Sequence, residues 1–124
     1  MLKVLEGPTI AAGESLSDVL DCTGGQIVRV TMPAHWDDAP LTFQISTDGQ
    51  FFNDLFGLDG YEISIDEVVL GSAVLIPEDV GRAIAFIRFR SGSRAEAVRQ
   101  SRDCVFAVAI ITKDEAPPPP DILR

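Results

Sequence analysis

One histidine, two cysteines, ten basic residues and nineteen carboxylates bound the chemistry open to this 124-residue chain. His35 is the only imidazole, and it sits in Pro33-Ala34-His35-Trp36-Asp37-Asp38, between two strand-like runs. Nucleophilic catalysis needs a nucleophile, a base and a group that orients the base. A lone histidine in a turn reads better as part of a turn anchored by Trp36, whose ring covers an open end of the fold. Asp37, Asp38, Asp48, Asp54, Asp59, Glu62, Asp66 and Glu67 crowd the middle of the chain. A glycosidase needs two carboxylates across a cleft, one with a raised pKa, and acidic loops on an acidic chain do not single out such a pair. Asp54, Asp59 and Glu62 offer oxygens for calcium, but the Asp-x-Asp-x-Asp-Gly loop is absent. Cys22 and Cys104 form no Cys-x-x-Cys pair and have only His35 for company, so the spacing suits no metal site. They read as reduced and buried, with a strand-to-strand disulfide as the alternative. Gly24-Gly25 is a turn pair rather than a phosphate cradle. The expectation is a non-enzymatic chain with no catalytic residue, no metal and no cofactor.

The net charge of −9 argues against binding a nucleic-acid backbone, which needs a basic stripe, and against adhesion to anionic lipid. The longest apolar run, residues 105–111, is far short of the ~18 residues of a membrane span. Arg82, Arg88, Arg90, Arg94, Arg99 and Arg102 hold six of the ten basic residues. This asymmetry fits either a head-to-tail contact between copies or pairing across strands within one copy.

The elements that must position these groups are strands, because the apolar residues alternate with period two. In Gln26-Ile27-Val28-Arg29-Val30-Thr31-Met32, one face carries Val28, Val30 and Met32 and the other Ile27, Arg29 and Thr31. Leu41, Phe43 and Ile45 alternate with Thr42, Gln44 and Ser46, the pattern of an antiparallel strand with one dry face. Asp48-Gly49 then reads as a hairpin turn, since glycine reaches positive φ cheaply. A second Asp-Gly, Asp59-Gly60, opens a strand in which Tyr61, Ile63 and Ile65 alternate with Glu62, Ser64 and Asp66. Residues 73–76 and 83–90 are further strands, the latter with Ala85, Ile87 and Phe89 inward. Residues 103–111 are apolar on both faces, which predicts a central or doubly covered strand. Val4-Leu5 and residues 17–20 add two short strands, and residues 94–101 read as a loop or edge strand rather than a helix. About eight strands with turn chemistry between them predict one all-β domain over residues 1–113, an antiparallel, jelly-roll-like β-sandwich. Its core is expected to hold Val28, Val30, Phe43, Ile45, Ile63, Ile87, Phe89 and the alternating residues of 103–111.

Residues 114–124 change character. Pro117, Pro118, Pro119 and Pro120 must be extended polyproline II, because proline locks φ and has no N–H to donate. Residues 116–124 would reach ~28 Å at ~3.1 Å per residue. The segment is either a solvated tail or a stiff arm that docks Ile122 and Leu123 into a neighbouring subunit, and the arm makes sense in an assembly.

One stretch resembles a known pattern. Trp36-x-x-Ala39-x-Leu41-Thr42-Phe43-Gln44-x-Ser46-x-Asp48-Gly49-x-x-Phe52-x-Asp54-Leu55 is similar to a motif of small β-sandwich structural proteins in tailed phages and gene-transfer-agent-like particles. Phe86-Ile87-Arg88-Phe89-Arg90-Ser91-Gly92, followed by Ala97-Val98-x-Gln100-x-x-Arg102, resembles the second half of the same pattern. The sequence departs from it at Ser93 and Ala97, where the pattern often has threonine and proline, and the proline arm lies outside it. The resemblance implies a virion part, such as a head spike base, a capsid decoration or a fibre-attachment module, and carries no catalytic residues. The implied partners are further copies in a cyclic homo-oligomer and a capsid or fibre protein, with no nucleic acid and no membrane. The chain would be made in the cytoplasm and built into a particle. A second reading is a carbohydrate-binding module that meets host surface glycans through Trp36, Phe51, Phe56 and Tyr61. Phe51 and Phe52 cannot both point inward on one strand.

Overall fold

The computed structural model describes residues 1–112. The expected arm, with Pro117, Pro118, Pro119, Pro120, Ile122 and Leu123, lies outside the described residues. The strands are β1 (Leu2–Ile10), β2 (Leu20–Asp21), β3 (Gly25–Thr31), β4 (Leu41–Ser46), β5 (Asn53–Asp54), β6 (Ser64–Ile65), β7 (Ala73–Leu75), β8 (Phe86–Ser91) and β9 (Cys104–Thr112). A single helical turn, α1 (Glu78–Arg82), precedes β8. Two antiparallel sheets face each other as a β-sandwich. Sheet A has the order β1-β9-β3-β7, and sheet B the order β2-β8-β4-β5, with β6 also paired to β4.

The period-two patterns place the core between the sheets. Phe43 pairs with Phe89 and Ile45 with Ile87, and these side chains point inward from sheet B. Cys104, Phe106, Val108 and Ile110 point inward from β9 in sheet A and are buried. An aromatic ladder joins the layers. Phe43 meets Phe89 at 5.3 Å, Phe89 meets Phe106 at 4.9 Å, and Phe106 meets Trp36 at 5.7 Å, all edge to face. That geometry sets positive ring edges on negative faces and adds to the gain from burial. Of the expected core, Val30, Phe43, Ile87 and Phe89 are buried, while Ile45 and Ile63 pack half-buried against it.

Several expectations need correction. Ile27 is buried and Val28 is not, because the β3–β9 register shifts between Ile27 and Arg29. The bulge adds one residue and reverses the phase, so Ile27 and Val30 share the inner face. Strand β1 runs on through Gly7-Pro8 rather than stopping there, with the break absorbed as a register shift between Glu6 and Thr9. The Asp48-Gly49 hairpin is wider than a two-residue turn. Gly49 takes φ +80°, and the Asp48 carboxylate accepts the N–H groups of Gln50 and Phe51, so β5 pairs only from Asn53. The strand expected at 61–65 is only Ser64–Ile65. Residues 94–101 form a loop that returns through a Gly92–Ala97 bridge.

Cys22 and Cys104 are free and buried. Burial, and next the charge of Asp21, push the Cys22 thiol up to about 11. Burial, and then Asp37 and Asp103, raise Cys104. Thiolate, not thiol, is the nucleophile. Neither cysteine is therefore expected to take up iodoacetamide at pH 7.5 in the folded chain, and both should do so in urea. Mass spectrometry of the adducts is the check, and rapid labelling of either residue in the native state would contradict the packing.

Candidate functional site

The outer face of sheet B carries the densest polar network among the described residues. It grows from four strands in register. Thr42 pairs with Arg90 and with Ser64, and Gln44 pairs with Arg88 and Asp54. Arg90 is only 7% exposed. Its Nε donates to Thr42 Oγ1 at 3.0 Å and its Nη1 to Asp54 Oδ1 at 2.6 Å, while Nη2 donates to Glu62 Oε2. Thr42 Oγ1 donates onward to the Gly92 carbonyl at 2.7 Å. Arg94 closes the far side, with Nε on Asp54 Oδ2 at 3.1 Å and its backbone N–H on the Glu62 carboxylate. Gln44 donates to Asp54 at 3.1 Å and accepts from Arg88 at 2.8 Å. The Arg88 guanidinium also lies 4.2 Å from the Phe52 ring centre, a cation over a π face.

The two carboxylates that hold the Arg90 guanidinium, Asp54 and Glu62, flank a hairpin turn of the chain. The chain leaves β5, turns at 57–60 and returns to β6. Gly57 N–H donates to the Tyr61 carbonyl at 2.9 Å and Ile63 N–H to Leu55 at 2.9 Å. The Asp59 carboxylate accepts the Tyr61 N–H, and Gly60 takes φ +86°. This secondary hairpin has one foot on Asp54 and the other on Glu62, and Arg90 grips both. Burial pushes the Asp54 carboxyl up, but hydrogen bonds from Arg90 and Gln44, the Arg90 charge and the Arg94 bond outweigh it and leave its pKa below the usual range. Asp54 therefore stays ionised at neutral pH.

The clamp holds an apolar tip in water. Phe56 and Leu58 are exposed, and Tyr61 is 76% exposed. Phe51, 78% exposed, leaves the neighbouring β4–β5 loop. The charged network fixes a hairpin whose Leu55 and Ile63 pack half-buried against the core but whose Phe56, Leu58 and Tyr61 stay in water. This pre-organises a contact surface, because the loop entropy is already spent before a partner arrives.

Of the four aromatics expected to meet a ligand, Phe51, Phe56 and Tyr61 are exposed and Trp36 is not. The Trp36 ring is buried on Phe106, and its Nε1 donates to the Ala39 carbonyl at 3.0 Å. That buried indole closes the sandwich and offers no face to a glycan. The three acids considered for calcium are separated by role: Asp54 and Glu62 bind arginine and Asp59 caps a turn. No group of three metal-ligating side chains occurs among the described residues. Four of the six clustered arginines act within the chain: Arg90, Arg94 and Arg82 in ion pairs, and Arg88 on Gln44 and Phe52.

His35 does find neighbours that the sequence did not bring together. Its Nε2 lies 3.0 Å from Asp37 Oδ1 and 3.3 Å from Ser101 Oγ. A serine triad needs the acid on Nδ1 and the hydroxyl on Nε2, and here both crowd one nitrogen. The Asp37 carboxylate also accepts the Ser101 N–H at 2.6 Å, and the hydrogen bonds from Ser101 hold its pKa low ahead of the influence of His35. Buried Gln100 ties the same turn down, with Oε1 accepting from Asp37 N–H and Nε2 donating to the Asp37 carbonyl and Ser91 Oγ. The cluster staples the 33–39 turn to the 98–104 segment.

The Arg90 clamp was the feature missed by sequence reasoning. Its one available signal was the pairing of two acids, Asp54 and Glu62, flanking an Asp-Gly turn, with an arginine on the wet face of a later strand. Comparison of the chain with protein-family models, curated proteins and solved structures finds no match.

Proposed function

We propose that the chain is a non-enzymatic structural subunit of a phage or phage-like (gene transfer agent) particle. Its place would be a head spike base, a capsid decoration or a fibre attachment, working through protein–protein contacts. The observation that carries this reading is the clamped hairpin, which presents Phe56, Leu58 and Tyr61 as a rigid apolar tip. Aromatic anchors held in place before contact are what an interface centre needs, and a capsid or fibre protein is the partner they would meet. The strand order supports a jelly-roll reading, since β1-β9-β3-β7 over β2-β8-β4-β5 alternates early and late strands in both layers. Jelly rolls recur in viral shells and in lectins, an analogy of fold rather than of site. The chain would be synthesised in the cytoplasm and then taken into the particle.

The test is banding of particles from the source cells on a density gradient, with detection of this chain in each fraction. Wild-type chain should band with the shell protein at a fixed ratio. Leu58→Ser with Tyr61→Ser should keep the melting temperature and lose at least about 10-fold of that signal, the equivalent of ~1.4 kcal/mol of binding. Wild-type chain confined to the soluble fractions would overturn the reading.

A second reading has its own observation. Phe56 borders an open groove of about 380 Å³ that is also lined by Ser46, Thr47 and Asn53, with Phe51 and Tyr61 exposed nearby in sequence. Aromatic faces beside polar side chains suit a host surface glycan. Binding on a glycan array that is abolished by Phe56→Ala would favour it over the particle reading.

A further inference from the structure

Sheet A buries one face against sheet B and leaves the other open. The strand registers set Leu2 beside Ile111, Val4 beside Ala109, and Arg29 beside both Ala109 and Leu75 on the open side. Leu2, Val4, Leu75, Val105 and Ile111 are all exposed there, Leu75 at 78%. Strand β9 runs through the middle with apolar side chains on both faces, a composition that belongs to strands covered on both sides. Among the described residues only its inner face lies against the other sheet; on the outer face Val105 and Ile111 are exposed and Ala109 is shielded only by its strand neighbours. Among the strand residues that register places on the open face, Arg29 and Glu6 alone are charged.

We propose that a second copy of this chain covers the open face of sheet A, in a two-fold dimer. Charge selects a copy of the chain and its orientation. A molecule of net charge −9 repels itself through most of its surface, yet this face carries one positive and one negative side chain. Glu6 pairs with Ala107 and Arg29 with Ala109, on opposite sides of β9. The midpoint between the two charges therefore falls over β9, between those alanines. A two-fold axis through that point, lying in the interface and perpendicular to the line joining the two charges, sets Arg29 of each copy against Glu6 of the other. The small alanines at the centre let the two sheets approach to the usual ~10 Å.

The plan area lies just under that of the smallest specific interfaces. Four strands at ~4.8 Å and about seven residues at ~3.4 Å give roughly 450 Å² per copy in plan. Two copies cover about 900 Å² before side-chain relief is counted, near the ~1,200 Å² at the low end of specific interfaces. The cyclic assembly expected from the sequence then takes its smallest form. This contact is independent of the hairpin tip, so Leu58→Ser with Tyr61→Ser leaves it intact.

Sedimentation equilibrium of the full chain tests the dimer. The expected mass is twice the 13.4 kDa of one chain. Val4→Glu with Leu75→Glu, both at exposed edge positions, should weaken association by about 100-fold or more while thermal unfolding of the monomer stays cooperative. Arg29→Glu alone should dissociate the pair, and Arg29→Glu combined with Glu6→Arg should restore it, which a merely structural role for either residue would not do. A wild-type monomer at about 100 μM, well above the Kd of a specific dimer, would overturn the proposal. So would a dimer that survives Val4→Glu with Leu75→Glu. A monomer that binds an apolar dye only after removal of residues 113–124 would overturn it too, in favour of the chain's own terminus as the cover.

Discussion

Arg90→Ala is expected to cost about 3–5 kcal/mol, because it leaves the Asp54 and Glu62 carboxylates close together with only the exposed Arg94 side chain on Asp54 to balance them. Urea denaturation measures the loss, and hydrogen exchange locates it, with residues 55–63 opening first. Adding Asp54→Asn and Glu62→Gln to Arg90→Ala should recover part of the stability, since neutral amides tolerate the site better than unpaired charge. A cost below about 1 kcal/mol would mean that Arg90 behaves as a surface ion pair and that the hairpin is held by something else. The same clamp sets a pH dependence. The folded pKa of Asp54 lies below its unfolded value of ~3.9, since its hydrogen bonds and the Arg90 charge outweigh the effect of burial. Its contribution is therefore complete above that value and is lost as pH falls through the folded pKa. Stability should hold from neutrality down to about pH 4 and fall below it. Asp54→Asn should make that fall shallower without removing it, because Asp21, Asp37 and Asp48 are also held low, chiefly by hydrogen bonds.

Phe89→Ala is expected to be of similar size, about 3–5 kcal/mol. The ring is fully buried and is the only one in edge-to-face contact with both Phe43 of sheet B and Phe106 of sheet A. Its removal opens a cavity where the layers meet, and neither sheet can close it without breaking register. Trp36, one ring further along the ladder, supplies the fluorescence probe. The midpoint in urea should fall with the slope unchanged. Phe89→Leu, which keeps most of the volume, should cost about 1–2 kcal/mol. Equal losses for the two variants would mean that ring geometry, and not filled space, holds the layers together.

What could be read from the sequence follows from what is local. Strands β4 and β8 were legible because Leu41, Phe43 and Ile45, or Ile87 and Phe89, repeat every second residue with polar groups between, and β9 because residues 103–111 are apolar on both faces. Strand β3 misled at Val28, since a bulge changes the phase of alternation without leaving a compositional mark. The five-residue helix Glu78–Arg82 is too short to show a period. At the site, the rule that strand neighbours face opposite ways did not choose between Phe51 and Phe52, which lie in the loop before β5, where Phe51 is exposed and Phe52 lies under Arg88. Trp36 read both as the cap of an open end and as a face for a glycan, and the burial decides for the cap. The Arg90 clamp was hidden because it joins residues 28 and 36 positions away in the chain, and it takes the pairing of β4 with β8, β5 and β6 to bring them together.

The position of β9 bears on how the chain comes to be folded at all. It is the last of the described strands to leave the ribosome, and it inserts between β1 and β3, among the first made. Sheet B can zip from β4 and β8 while synthesis continues, but β1 and β3 have no partner for their facing edges until residues 104–112 emerge. Contacts between such distant segments slow folding, to the millisecond-to-second range for β-sandwiches. During that interval Ile27, Val30 and the edges beside them are open to any other unfinished chain. A nascent chain stalled before residue 104 should therefore associate with chaperones, and release of the final strand should end that association in one cooperative step.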